Sequence, residues 1–211
     1  MELKDLRINY GKKKIREDEI PDSPLEWFRD WLEEAVQTGI SDANAMALST
    51  VSSDGRPSSR IVLLKGLDDA GFVFFTNYTS RKGEQLAANP NAAILFFWPE
   101  LERQIRVEGV VRKTEPAISD DYFYSRPLES RVSAVVSPQS KVVNSRESLE
   151  QLHNTFLFMH PEEDFERPAY WGGYRLIPSL FEFWQGRSNR LHDRIQFREE
   201  AGVWKWQRLA P

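Results

Sequence analysis

Ala45-Met46-Ala47-Leu48-Ser49-Thr50-Val51-Ser52-Ser53-Asp54-Gly55-Arg56-Pro57-Ser58-Ser59-Arg60-Ile61-Val62-Leu63-Leu64-Lys65 decides the fold class. Ala45 to Ser52 and Ser58 to Lys65 read as strands, and Ser53-Asp54-Gly55-Arg56 between them has the composition of a hairpin turn. The period before this stretch is different. Ser23 can cap a helix, Pro24 suits its first position and Glu26 completes a capping box. Leu25, Phe28, Leu32, Ala35 and Val36 form its expected buried stripe, and Gly39 ends it.

Downstream, Phe72 to Thr76 follows the turn Asp68-Asp69-Ala70-Gly71, and a short helix covers about Arg81 to Ala88. Ala92 to Trp98 and Gln104 to Arg112 read as further strands. Two short helices flank Arg126-Pro127, because proline disfavours helical geometry at the residue before it. A longer helix starts from an Asn144 cap with Glu147 three residues on, and is expected to bury Leu149, Leu152, Phe156 and Met159. The chain then returns to strands at Tyr174–Ile177, Leu180–Trp184, Arg190–Phe197 and Val203–Leu209. Short antiparallel strands with helices outside them predict a mainly β fold with flanking helices, a closed or split β-barrel. No glycine-rich strand-to-helix phosphate loop is present, which excludes the dinucleotide and P-loop readings.

Composition narrows the function. The 211 residues show no repeat and form one domain, expected over residues 23–211, preceded by a mobile basic arm over residues 1–22 with Lys12, Lys13 and Lys14. Zero cysteines exclude disulfides, thiolate metal sites and cysteine nucleophiles, and three scattered histidines do not make a zinc site. A formal charge of −4 argues against nonspecific nucleic-acid binding. No apolar run spans a bilayer and the charged start lacks a signal-peptide core, so a cytoplasmic location with no membrane partner is expected.

Several clusters carry chemistry. Were Arg190 to Arg194 extended, the period of two would put Arg190, His192 and Arg194 on one strand face, where they repel one another unless an anion or nearby carboxylates cover them. Arg81 and Lys82 open a helix whose dipole they oppose. A bound phosphate reverses that effect, and reaching into solvent costs only about a few tenths of a kcal/mol. Arg60 and Lys65 are five apart, on opposite faces of a regular strand, so they serve different groups or one bends away; as strand-end cations they also fit simple surface snorkelling. Tyr122, Arg126 and Ser130 could converge on an anion, or Tyr122 could pack while Arg126 caps its helix. Gln104 and Ser137-Pro138-Gln139-Ser140 offer neutral donors and acceptors, and Trp184 offers a flat ring or a core residue.

Taken in order, these segments resemble the pyridoxine/pyridoxamine 5′-phosphate oxidases. The resemblance runs through Arg60-Ile61-Val62-Leu63-Leu64-Lys65, Phe75-Thr76-Asn77 with Ser80-Arg81-Lys82, Glu102-Arg103-Gln104, and Tyr122-Phe123 with Ser125-Arg126-Pro127. It continues through Ser137-Pro138-Gln139-Ser140, Trp171-Gly172-Gly173, Phe183-Trp184-Gln185-Gly186 with Arg190-Leu191-His192-Asp193-Arg194, and Arg208-Leu209-Ala210-Pro211. It implies an FMN-binding split β-barrel and a homodimer with FMN across the subunit interface. It also implies oxidation of pyridoxine 5′-phosphate or pyridoxamine 5′-phosphate by O2, giving pyridoxal 5′-phosphate, H2O2 and, from the amine, ammonia.

Carried over by motif, FMN is expected at Arg60, Ile61, Val62, Leu63, Leu64, Lys65, Phe75, Thr76, Arg81, Lys82, Gln104, Gln139, Ser140, Trp184 and Arg194. The substrate phosphate is expected at Lys65, Tyr122, Arg126 and Ser130. Arg190, Leu191 and His192 are expected beside the pyridine ring, Arg190 and His192 as catalytic residues, and Arg7 and Tyr10 of the arm over the site. Phe75 departs from relatives with tyrosine, so contact there is expected through the backbone. The rival readings are another flavin oxidoreductase on the same barrel, a noncatalytic vitamer or flavin carrier, and a basic-patch nucleic-acid binder.

Overall fold

The computed structural model describes residues 9–161 and 164–211. Its first helix, α1 (Pro24–Gln37), is capped by Ser23, whose hydroxyl accepts the Glu26 N–H at 3.3 Å. Gly39 ends it with φ of 78°, a left-handed angle that favours glycine. The buried stripe is Pro24, Trp27, Phe28, Trp31 and Ala35, whereas Val36 is exposed and Leu25 and Leu32 are half-buried. Two indoles outweigh the leucines in apolar area and turn the helix toward the sheet. Trp27 and Trp31 lie 4.1 and 5.2 Å from the ring of Phe183.

The hairpin forms as read, from β1 (Ala45–Val51) and β2 (Pro57–Leu63), with Ala45 opposite Leu63 and Val51 opposite Pro57. There follow β3 (Gly66–Asp68), β4 (Gly71–Asn77), α2 (Arg81–Ala88), β5 (Asn91–Trp98) and β6 (Arg103–Lys113). Next come α3 (Pro116–Ser125), α4 (Leu128–Val136) and α5 (Arg146–Met159), then β7 (Trp171–Gln185), β8 (Asp193–Glu200) and β9 (Val203–Arg208). The nine strands among the described residues make one sheet in the order β2-β1-β5-β6-β7-β4-β3, with β8 branching from β7 and β9 pairing with β8. β2 runs through Leu64-Lys65 into β3, so the two ends of this path are neighbours in the chain and the sheet curls on itself.

The split originates in β7. Its first half pairs with β4 and its second half with β8, while β6 runs along its other edge. The two strands expected at Tyr174–Ile177 and Leu180–Trp184 are therefore one. Pro178 cannot donate to the ladder, and the register shifts between Glu108 and Gly109 opposite it instead of breaking the strand. A side chain at position 109 would place its Cβ 2.0 Å from the Ile177 carbonyl oxygen, so the bulge requires glycine.

Phe28, Phe72, Phe74, Phe96, Phe181, Phe183 and Phe197 fill the barrel and are fully buried. Each ring contributes roughly 1.5–3 kcal/mol by leaving water. A second cluster, Phe123, Val132, Ala134, Phe165 and Trp171, lies beneath the helical excursion. Here α5 differs from expectation. Its cap is Ser145, paired reciprocally with Ser148, and none of its residues is fully buried. Leu152 and Met159 are exposed, and Phe156 and Leu157 supply the contact. The helix packs on α4 and the rim of the second cluster instead of entering the barrel, so only a narrow stripe is covered.

Within the segment read as a mobile arm, residues 9–22 are described, and Ile15 is buried in the main core. No helix among the described residues is long and apolar enough to cross a membrane.

Candidate active site

A cavity of about 310 Å³ opens where β2, β4, α2 and α3 meet. It is lined by Arg60, Ile61, Val62, Leu63, Lys65, Phe75, Thr76, Lys82, Tyr122, Arg126, Gln139 and Trp171. Four cations face it, and no Asp or Glu is among the described lining residues. Cations gathered without counter-charge raise one another's free energy, and the deficit is relieved by an anionic ligand.

The bend after β2 brings two of them together. Leu64 N–H still follows the β1–β2 register to the Asn44 carbonyl, but Lys65 N–H turns to the Val73 carbonyl, both at 2.9 Å, so Lys65 leaves the strand geometry that would oppose it to Arg60. Leu64 itself points into the core. Arg60 is held by the Leu48 and Ser58 carbonyls and by the Thr50 and Ser58 hydroxyls, neutral acceptors that leave its charge unpaired among the described residues. Burial, then the nearby Arg81, lower its pKa.

Lys82 is buried, and its ammonium donates to Thr76 Oγ1 at 3.2 Å. Thr76 in turn donates to Gln139 Oε1 at 3.0 Å, which also accepts the Asn77 N–H. Burial and Arg60 both lower the Lys82 pKa. Ser80 caps α2 by accepting the Gly83 N–H, which fixes the first turn carrying Arg81 and Lys82. Arg81 projects from this turn beside Asp54 and Arg56, outside the cavity lining.

The opposite wall is aromatic. Phe75 stacks on Tyr122 with centroids 3.9 Å apart, and Trp171 lies parallel behind Phe75 at 5.7 Å. The Arg126 guanidinium sits 4.8 Å over the Trp171 ring, and its buried Nη1 has no hydrogen-bond partner among the described residues. Burial lowers the Arg126 pKa, partly opposed by Tyr122, and raises that of the Tyr122 phenol. An unpartnered buried donor beside a cavity marks a place for an acceptor. Ser130 lies on α4 and Ser140 beside Gln139, both outside the lining; Ser140 adopts φ of 71°.

The remaining candidates form a separate group. Gln104, Trp184 and Arg194 are successive cross-strand partners on β6, β7 and β8, and therefore share a sheet face. Arg194 is paired with Glu182 at 2.7 Å. Tyr10 meets Trp184 edge-on at 5.6 Å, and His192 lies 4.7 Å from Trp184 and 5.8 Å from Tyr10. Arg7 lies outside the described residues.

Arg190, His192 and Arg194 do not form a strand face. Ser188–Arg190 is a 3-10 turn in which Asn189 and Arg190 have φ of 57° and 61°, and β8 begins only at Asp193. Leu191 N–H closes the turn on the Ser188 carbonyl at 3.2 Å, and Arg187 N–H spans it by donating to His192 Nδ1 at 3.1 Å. Arg190 and Leu191 are exposed at its tip. With Nδ1 accepting, the neutral ring carries its proton on Nε2. Burial, then Arg190, lower the His192 pKa, with Asp193 opposing. The neutral ring therefore persists into more acidic solution than a free imidazole's, and the stability tied to it is lost as pH falls through the lowered value.

Trp171, to which the sequence assigns no role, forms the cavity's rear wall behind Phe75. The glycine pair after it is the signal in the sequence: a Cβ at Gly172 would sit 2.3 Å from the Tyr78 hydroxyl and one at Gly173 2.5 Å from Thr114 Oγ1, so neither position admits a side chain.

Comparison with known proteins adds an independent line. Residues 32–156 match the family model described as pyridoxamine 5′-phosphate oxidase, and residues 171–211 match the pyridoxine 5′-phosphate oxidase C-terminal dimerisation region. The chain is 52% identical over 211 residues to a pyridoxine/pyridoxamine 5′-phosphate oxidase of Pseudomonas putida, covering 99% of this chain and 98% of that one. It is 49% identical over 209 residues to the protein of that name from a Cyanothece species, again covering 99% and 98%. Among solved structures, PhzG from Burkholderia lata, in complex with tetrahydrophenazine-1-carboxylic acid, superposes with a TM-score of 0.90 at 32% identity, covering 96% of this chain and all of that one. An FMN-binding protein of Nostoc punctiforme shares the fold, with a TM-score of 0.73 at 17% identity over 91% of this chain and all of that one.

Proposed function

Since the chain belongs to the pyridoxamine 5′-phosphate oxidase family, we propose that it oxidises pyridoxine 5′-phosphate and pyridoxamine 5′-phosphate to pyridoxal 5′-phosphate, with O2 as the final electron acceptor. It is an FMN-dependent oxidoreductase. The observation that carries the substrate reading is the cavity's four cations, Arg60, Lys65, Lys82 and Arg126, with no carboxylate among its described lining residues. Both FMN and the substrate are phosphate esters, and together they supply the missing negative charge.

The residues present fit FMN. Lys82 is a buried ammonium bonded to the neutral Thr76 hydroxyl, and Arg60 is a guanidinium satisfied by neutral oxygens, which suits them to its phosphate with Arg81 nearby. Thr76, Gln139 and Ser140 offer neutral polar contacts, and Phe75 is expected to contribute its backbone. At about 310 Å³ the cavity lies at the low end of the ~300–1,000 Å³ usual for ligand sites. That size, and the separate Gln104-Trp184-Arg194 face, support a site completed in a homodimer, one subunit contributing the cavity and the other that face. The match to a dimerisation region points the same way.

FMN, when bound, supplies a two-electron acceptor for the substrate. The chain's own residues then bind and orient. Lys65, Tyr122, Arg126 and Ser130 hold the substrate phosphate, with the buried Arg126 Nη1, which has no partner among the described residues, as a donor ready for it. Arg190 and His192 lie beside the pyridine ring, where Nε2–H can donate and the cation steadies developing negative charge. The alcohol loses two electrons and two protons to become the aldehyde. The amine does the same and takes up water to release ammonia. In each case O2 becomes H2O2.

The test is product stoichiometry. Pyridoxamine 5′-phosphate should give pyridoxal 5′-phosphate, peroxide and ammonia in equal amounts, and Arg190→Met should cut turnover at saturating substrate without loss of FMN. Tetrahydrophenazine-1-carboxylic acid, the compound bound to the B. lata relative, has no phosphate and is the control. Oxidation of it in preference to the vitamers would replace this reading with that of another flavin oxidoreductase on the same barrel.

A further inference from the structure

We propose that Glu102 is a positioning residue, whose carboxylate latches the N-terminal segment and thereby seats Tyr10 against Trp184 and His192. The reaction it serves is the oxidation argued above, so its kinetic role rests on that reading. A single oxygen, Glu102 Oε2, accepts the Gly11 N–H at 2.8 Å and the Lys12 N–H at 2.9 Å. Both donors are backbone groups directly following Tyr10, so the latch fixes the path of the chain rather than one side chain. Bonds from N–H groups to an ionised carboxylate are stronger than those between neutral groups.

The seat below is built to match. Glu102 is itself buried and adopts φ of 54° and ψ of 39°, a left-handed conformation unusual for a glutamate. Its carbonyl accepts from Gly186 N–H at 2.8 Å and from Gln185 Nε2 at 3.2 Å, which tie the turn to the end of β7 independently of the carboxylate. A Cβ at Gly186 would lie 2.7 Å from Tyr10 Cγ and 3.0 Å from Glu102 Cβ. Glycine at 186 thus lets the tyrosine ring and the glutamate stem close on the same backbone. Further along, Asp193 Oδ2 accepts the Ile15 N–H at 3.1 Å, so the segment from Tyr10 to Ile15 is clamped at both ends. Tyr10 is left with the two rings that the functional reading sets beside the reactants, Trp184 and His192.

The carboxylate can be removed without touching the carbonyl bonds that hold the turn, which makes the role testable. Glu102→Ala, Glu102→Gln and Gly186→Ala would be prepared as full-length, FMN-loaded protein. Amide exchange at Gly11 and Lys12 and the KM and kcat for pyridoxine 5′-phosphate would then be measured. Glu102→Ala should accelerate exchange at both amides by about tenfold or more, the factor expected on losing a charge-assisted bond. KM should rise, with FMN content unchanged. Glu102→Gln keeps an oxygen acceptor of the same shape and should recover part of both effects. Gly186→Ala crowds Tyr10 while keeping the carboxylate and should raise KM in the same direction. Unchanged exchange at Gly11 and Lys12 in Glu102→Ala overturns the latch, and faster exchange with unchanged KM overturns its role in the reaction. Native protein inert toward both vitamers would overturn the oxidase reading instead, and exchange would still decide whether the carboxylate holds the segment.

Discussion

Lys82→Met should weaken FMN binding by about 10- to 150-fold, the range for loss of one charge-assisted hydrogen bond, while leaving the apoprotein at least as stable as the native chain. The two halves of this result have one cause. Lys82 is buried, its ammonium is bonded to the neutral Thr76 hydroxyl, and Arg60 raises the local positive potential. A buried cation without a counter-ion costs folding free energy, and methionine removes that cost at nearly the same volume. A phosphate in the cavity would supply the counter-charge and convert the same cation into affinity. Fluorescence titration with FMN and thermal melts of the apoprotein check both halves. Unchanged affinity, or an apoprotein made less stable, would contradict the assignment of Lys82 to the phosphate.

Arg126→Met should act on the other ligand. Its Nη1 is buried without a partner among the described residues, and its guanidinium rests on Trp171 beside the stacked Phe75 and Tyr122. Methionine can keep the packing on the indole while the donors disappear. KM for pyridoxine 5′-phosphate should rise by roughly 10- to 100-fold with kcat largely retained, because the phosphate is remote from the reacting carbon and its binding is uniform along the reaction. Affinity for FMN should not change. Steady-state kinetics and FMN titration on the one variant separate the sites, and loss of FMN with KM unaltered would reverse their assignment.

Most of the strands, though not their order in the sheet, were legible because the alternation in β1, β2 and β6 is regular and the hairpin turn is explicit in Ser53-Asp54-Gly55-Arg56. Cation-bearing motifs were legible for a different reason: unpaired positive charge at a helix start, or at both ends of an apolar strand, has no local explanation. What escaped depends on long-range contact. The Arg190–Arg194 run alternates like a strand, but it enters a turn that Leu191 N–H closes on the Ser188 carbonyl and the bond from Arg187 N–H to His192 Nδ1 spans. Leu152 and Met159 have helical spacing, yet α5 has no barrel wall to bury them against. Trp27 and Trp31 displaced the leucine stripe of α1 because Phe183, distant in sequence, receives them. Lys65 joined Arg60 only because the chain exchanges the β1 side for β4 as its hydrogen-bonding partner after Leu64.

The most direct measurement is an anaerobic spectral titration of the purified yellow protein with pyridoxine 5′-phosphate and, separately, with unphosphorylated pyridoxine. If the carboxylate-free cavity exists to receive phosphate esters, the phosphorylated vitamer should abolish the visible flavin absorbance stoichiometrically. The unphosphorylated one should have little effect at the same concentration. Equal bleaching by both, or by neither, would contradict the account.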